Sequence, residues 1–183
     1  MENKLAKKKS IFKFRVKQIA YGWCHVNMTV NNHKIDYWAS CVLGYSPIGA
    51  FIEACADFMS EESDKLYITW YAEPGTLKMN LELDENQLLH MDIMKYGNES
   101  DNDLEEEWHE VIPYECFVSA IISEGFRVLK TYGLYGYRAS WQNGTDFPLS
   151  ALLRITKKCD RVMKGDSWHS NIFQEIECIK EFL

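Results

Sequence analysis

The sequence predicts an α+β domain, with a mainly antiparallel sheet of about six or seven strands packed by three or four helices mostly on one face. Three observations carry this prediction. Residues 65–96 hold three successive strand-like runs, Lys65–Tyr71, Thr76–Leu83 and Leu88–Tyr96, separated by Glu73-Pro74-Gly75 and by Asp84-Glu85-Asn86-Gln87. The stretches on either side carry apolar residues at helical spacing, giving stripes that can lie on such a sheet. The 183 residues suffice for one domain with a real core, and no repeat, low-complexity tract or linker divides them.

Taken in order, residues 1–10 (MENKLAKKKS) read as a disordered basic tail, leaving 11–183 as the single domain. Ile11–Ile19 reads as the first strand and Tyr21–Val30 as the second. In the second, Cys24, Val26, Met28 and Val30 share one face, while Trp23, His25, Asn27 and Thr29 share the other. That two-residue period is the signal of a half-buried strand. Asn31-Asn32 suits a tight turn because asparagine tolerates positive φ, and His33–Leu43 returns as a third strand. Ser46 is a natural N-cap and Pro47 fits the first helical position, where no amide hydrogen is missed. The helix they open runs to about Met59, with Ile48, Phe51, Ile52, Cys55, Phe58 and Met59 on one stripe.

The central runs alternate in the same way. Leu77, Met79, Leu81 and Leu83 oppose Lys78, Asn80, Glu82 and Asp84; Leu89, Met91 and Ile93 oppose His90, Asp92 and Met94. Residues 97–107 break the pattern, so Glu99–Glu110 reads as an exposed, mobile loop leading into a last strand near Trp108–Ile112. Tyr114–Tyr132 reads as a helix with Phe117, Ile121, Gly125, Val128, Leu129 and Tyr132 on one side and Gly133 as its C-cap. Leu134–Asp146, rich in glycine and aromatics, reads as an irregular loop. Pro148 opens a helix to about Lys158, Gly165–Ser170 is a loop, and Asn171–Phe182 is a final helix with Ile172, Ile176, Ile179 and Leu183 on its apolar side.

Charge is unevenly distributed. The chain carries −7, but residues 1–17 hold seven basic groups and one acid, so residues 18–183 carry −13 (−7 less +6). So acidic a body is predicted to bind no nucleic acid, since phosphate contacts need a cationic surface, and it suits a basic protein partner. No apolar run reaches the length that crosses a membrane, and no signal peptide is read at the N-terminus. The six cysteines, at 24, 41, 55, 116, 159 and 178, are widely and irregularly spaced with no CxxC pair. They read as reduced core thiols of a cytoplasmic protein, with no disulfide framework, zinc site or other cofactor.

The residues that bear chemistry form no recognised catalytic motif. None of His25, His33, His90, His109 and His169 has HExxH or Cys/His spacing. His90 and Asp92, two apart on a strand, share a face and suit acid–base work; with Glu73 they form the candidate site of an enzyme reading, set in a sheet-edge cleft. Asp101-Asn102-Asp103-Leu104-Glu105 resembles the start of a calcium loop, but Glu106 stands where an EF-hand needs glycine.

Two features suit recognition. From Glu99 to Glu110 there are seven acids (Glu99, Asp101, Asp103, Glu105, Glu106, Glu107 and Glu110) around Trp108, with no Lys or Arg. Their mutual repulsion falls when a cationic partner approaches, although a solvated surface loop is the plainer alternative. Trp70 and Glu73, with Tyr137, Arg138 and Trp141, place large aromatics and an arginine at element ends, as interface hot spots do; capping the open ends of the core is the other use for them.

The order of elements around Trp70–Gly75 (WYAEPG), with the Ser46-Pro47 helix before it and Thr76–Leu83 after it, resembles small bacterial proteins of unassigned function. Some of these are grouped with the immunity proteins of polymorphic toxin and contact-dependent inhibition systems. The resemblance covers residues 35–155 in pattern, and its one sharp local piece is the Glu-Pro-Gly turn. It implies a non-catalytic inhibitor of a cognate, commonly basic, toxin and carries no residue role over. The expected function is therefore a cytoplasmic, immunity-like binding protein. The alternatives are the His90/Asp92/Glu73 enzyme and a homodimeric structural protein.

Overall fold

The computed structural model describes residues 11–41, 44–60, 63–100, 102–156 and 171–183. The expected basic tail, Asp101, the end of the third helix and the 165–170 loop lie wholly or partly outside these residues.

Seven strands form as expected, but in two antiparallel sheets rather than one. The first contains β1 (Phe12–Ala20), β2 (Trp23–Val30) and β3 (His33–Ser40), in that order. The second contains β4 (Lys65–Ala72), β5 (Gly75–Leu83), β6 (Leu88–Tyr96) and β7 (Leu104–Pro113). Helix α1 (Pro47–Met59) joins them; α2 (Tyr114–Ser140), α3 (Leu149–Ile155) and α4 (Ile172–Lys180) follow. Every strand pairs only with a neighbour in sequence.

Alternation decides what the sheets bury. Cys24, Val26, Met28 and Val30 are buried, and so are Leu77, Met79 and Leu81 and Leu89, Met91 and Ile93. Phe12, Phe14 and Val16 join them from β1, and the whole α1 stripe closes the same core. Ser46 caps α1 by accepting from the Gly49 amide at 2.9 Å. Asn31 turns β2 into β3 at φ 54°.

The two sheets share the core without a hydrogen-bonded ladder between them, and side chains join them instead. Tyr37 of β3 donates its hydroxyl to the Trp70 carbonyl (3.3 Å). Asn31 donates to Glu110 (2.5 Å), and His33 Nε2 lies 3.1 Å from the same carboxylate.

The free edge of β1 is covered by α2. The Glu124 carboxylate accepts from the Val16 amide at 2.5 Å, and Arg127 donates to the Val16 carbonyl at 2.5 Å. Tyr132 accepts from the Ile19 amide at 2.8 Å. These contacts sit at a register shift between Val16 and Gln18. A helix thus occupies backbone groups that a further strand would otherwise take. Glu124 is 4% exposed and is paired with Arg127 (2.6 Å), whose guanidinium that hydrogen bond holds above its ordinary value.

Helix α2 does not end at Gly133. It kinks there, at φ 63° and ψ 179°, and continues to Ser140, so the expected loop 134–146 begins as helix. That backbone region is open essentially to glycine alone, so the residue read as a stop is a bend. Past the bend, the buried Tyr137 bonds its hydroxyl to Ser46 (2.5 Å) among Trp141 and Phe147. Burial pushes the Tyr137 hydroxyl above its ordinary range. Gly125 lets α3 approach, since a Cβ there would stand 2.5 Å from Leu152.

Helix α4 departs from expectation. Ile172 and Ile176 are exposed, and contact with the body includes Phe182 stacked on Phe126 at 4.3 Å. Among the described residues, no helix is long and apolar enough to cross a membrane.

Cys24 and Cys55 are buried, whereas Cys41, Cys116 and Cys178 are half-buried; all five are free thiols. Burial pushes Cys24 from near 9 up to about 12. The thiolate is the reactive form, so alkylation near pH 8 is expected to leave Cys24 and Cys55 unmodified in the native protein and to reach both in urea. The raised value also has a linkage consequence. Stability is unaffected by Cys24 below about 9 and falls between 9 and about 12, where only the unfolded thiol ionises. Mass spectrometry of the labelled peptides checks the first point; rapid native labelling of Cys24 would contradict the burial described.

Candidate functional site

One open sheet surface with chemistry on it is the outer face of β4–β7. Register sets its rows. Lys65, Glu82, His90 and Val111 form one, Tyr67, Asn80, Asp92 and His109 the next, and Thr69, Lys78, Met94 and Glu107 the third. A shallow cavity of about 350 Å³ lies over the first two rows, lined in part by Tyr67, Asn80, Asp84, His90, Asp92 and His109. Tyr67 is 69% exposed beside it.

Two imidazole–carboxylate pairs stand side by side here. His109 Nδ1 is 2.6 Å from Asp92, and His90 Nε2 is 3.2 Å from Asp84. The rings are 5.9 Å apart. The Leu88 amide, joined by His90 and the Asn86 amide, holds the Asp84 carboxyl below its usual range. So the shared face of His90 and Asp92 is as expected, but each bonds to a different residue. His109, which completes the cluster, fell in the expected last strand but was not paired with Asp92, because strand register is not a local property. The signal that would have found it is the Asp92–His109 register of the β6–β7 hairpin.

Glu73 does not join this group. It lies in the exposed turn between β4 and β5, at the end of the sheet where Thr76 faces Tyr96, whereas His90 faces Glu82. Six strand residues, roughly 20 Å at about 3.4 Å each, separate the two rows. His90 and Asp92 lie on the inner strand β6, with His109 beside them on the edge strand β7. The cavity lining contains no Ser, Thr or Cys that an imidazole would activate. Among the described residues, no three His, Cys, Asp or Glu side chains gather to hold a metal ion.

The acidic segment is corrected most. The strand expected near Trp108–Ile112 begins earlier: Glu105, Glu106 and Glu107 are strand, not mobile loop, and with Trp108 and Glu110 form part of β7 at the edge of the sheet. Strand alternation splits them. Glu107 and His109 face outward, while Trp108 opposite Ile93 and Glu110 opposite Met91 turn to the other face. Trp108 packs partly buried against the core and lies 5.7 Å from the His33 ring, and Glu110 is tied to Asn31 and His33. Both therefore join the two sheets and are withdrawn from a partner. Lys95 of β6 lies 2.7 Å from Glu105 and 3.5 Å from Glu106, and the Glu105 hydrogen bond raises it above its ordinary value. Glu99 and Asp103 are exposed in the β6–β7 connection; Asp101 lies outside the described residues.

The aromatic set is likewise core. Trp70 is 2% exposed and Trp141 3%, and Tyr137 is fully buried, so none is an interface hot spot. Arg138 is exposed but bonds to Asp146 at 2.6 Å.

No protein-family model matches the chain, and neither a characterised protein nor a solved structure is significantly similar to it.

Proposed function

We propose that the chain is a non-catalytic binding protein that takes a basic protein partner on the outer face of β4–β7 and along β7, in the manner of an immunity-like inhibitor of the bacterial cytoplasm. The observation that carries this reading is a sheet face that no described element covers, with an exposed tyrosine, Tyr67, on its β4 edge and carboxylates on the strands beside it. Glu82, Asp92 and Glu107 are exposed on that face, with Glu105 and Glu106 on the adjoining edge strand. An exposed aromatic beside charged groups is a common plan of recognition surfaces, and the charge sets the sign of the partner. The carboxylates also have a use in the free protein, because charged side chains along an edge strand discourage pairing with other chains.

The test is capture from the source cell's lysate by the wild-type protein and by an Asp103→Lys, Glu105→Lys, Glu107→Lys variant, at low and high salt. A basic protein retained by the wild type alone, and lost at high salt, is the expected result, with roughly ten- to hundredfold weaker affinity for the variant on purified partner. Equal capture by both proteins would remove this face from recognition.

A further inference from the structure

The outer face of the other sheet has the opposite charge. It carries Lys13, Arg15 and Lys17 from β1 and Lys34 from β3, all exposed. Lys13, Thr29 and Lys34 form one cross-strand row, and Arg15, Asn27 and Asp36 the next. Lys13 and Lys34 enter no ion pair among the described residues. Arg15 keeps a 3.5 Å contact with the buried Glu124. The carboxylate on this face, Asp36, is already occupied by His25 (2.6 Å) and Asn27. Glu115 borders the face across a groove beside Lys13.

Aromatic surface lies in the same sheet. Trp38 is 44% exposed, directly opposite His25, whose ring stacks on one side of the indole at 4.5 Å and 9°. In sequence, four more lysines (Lys4, Lys7, Lys8 and Lys9) immediately precede β1.

We propose that this face binds single-stranded nucleic acid, with phosphates along Lys13, Arg15, Lys17 and Lys34 and a base on Trp38. Exposed cations on one sheet face, next to an exposed ring, form the combination that holds an extended polyanion with free bases. A duplex offers no unstacked base to Trp38, and an acidic peptide offers no succession of rings. The site is independent of the recognition face proposed above, which lies on the other sheet. The net negative charge predicted from composition applies to the whole chain, whereas a ligand meets one surface at a time.

The test is fluorescence anisotropy of the full chain with labelled oligo-dT and oligo-U. Saturable binding is expected, with a log affinity against log salt slope of about −2 to −3, as three or four phosphate contacts on a single strand give. Lys13→Glu with Lys34→Glu is expected to weaken binding at least tenfold and flatten the slope by roughly 1.4. Trp38→Ala should weaken it about tenfold at unchanged slope. All three side chains are exposed, so circular dichroism should show the variants folded. Glu105→Lys with Glu107→Lys should not weaken it. No saturable binding, or binding insensitive to the lysine reversal, overturns the proposal. So does equal uptake of heparin or anionic vesicles that Trp38→Ala leaves unchanged, which would mark simple polyanion adsorption.

Discussion

Glu124→Ala is expected to lower stability by about 3–5 kcal/mol, the usual result of removing one partner from a buried ion pair. Three groups lose a carboxylate acceptor together: the Val16 amide, the Arg127 guanidinium, which keeps the Val16 carbonyl, and the more distant Arg15. The Val16 amide is the worst placed of these, since its strand neighbour on that side is a helix and no backbone carbonyl takes over. For a chain of this size the loss corresponds to roughly 10 °C in Tm. Glu124→Gln should cost much less, because an amide oxygen still accepts from Val16. The alanine variant should also aggregate more readily with concentration, since the free edge of β1 loses part of its cover. Urea and thermal denaturation of both variants measure this, and a loss under about 1 kcal/mol for Glu124→Ala would mean that the edge is satisfied in another way.

The second large effect is at Trp70. Its indole packs against Phe14 (6.1 Å) and edge-on to Phe51 (5.4 Å), at the point where the first sheet, α1 and β4 meet. Trp70→Ala should therefore destabilise by about 3–5 kcal/mol through the cavity it leaves. Trp70→Phe should be much milder. It keeps a ring in place and removes an indole N–H that is buried without an acceptor, which offsets part of the lost packing. Were Trp70 an interface hot spot, alanine would weaken binding with little change in stability. Denaturation beside a binding assay on folded protein separates the two, and a stable but non-binding Trp70→Ala would contradict the buried position.

What was legible in the sequence follows from which forces act locally. Side-chain alternation in β2, β5 and β6 and the α1 stripe are local, so the buried sets could be read from residue spacing, as could the Ser46 cap and the Asn31 turn. The first half of β7 could not. Leu104-Glu105-Glu106-Glu107 has no apolar alternation, and it is strand because β6 supplies a ladder and Lys95. The α2 bend was hidden for a related reason. Glycine after an apolar stripe signals a helix end, and only the burial of Tyr137 beyond it rewards continuing. The division into two sheets is not local at all, since α1 separates β3 from β4 and leaves their pairing open. Within the candidate site, the common face of His90 and Asp92 was readable. Their separate partners, Asp84 and His109, depend on turn and register geometry.

Strand pairing confined to sequence neighbours has a kinetic meaning. Each hairpin closes a short loop, so the entropy of closure is small for all five strand pairings, and both sheets can form from nearby segments. The distant closures lie elsewhere: α2 docks on β1, where Val16 and Glu124 stand 108 residues apart, and Asn31 reaches Glu110 across 79 residues. Such closures tie the start of the domain to its second half. They make the two meanders a single cooperative body, rather than two small sheets that happen to touch.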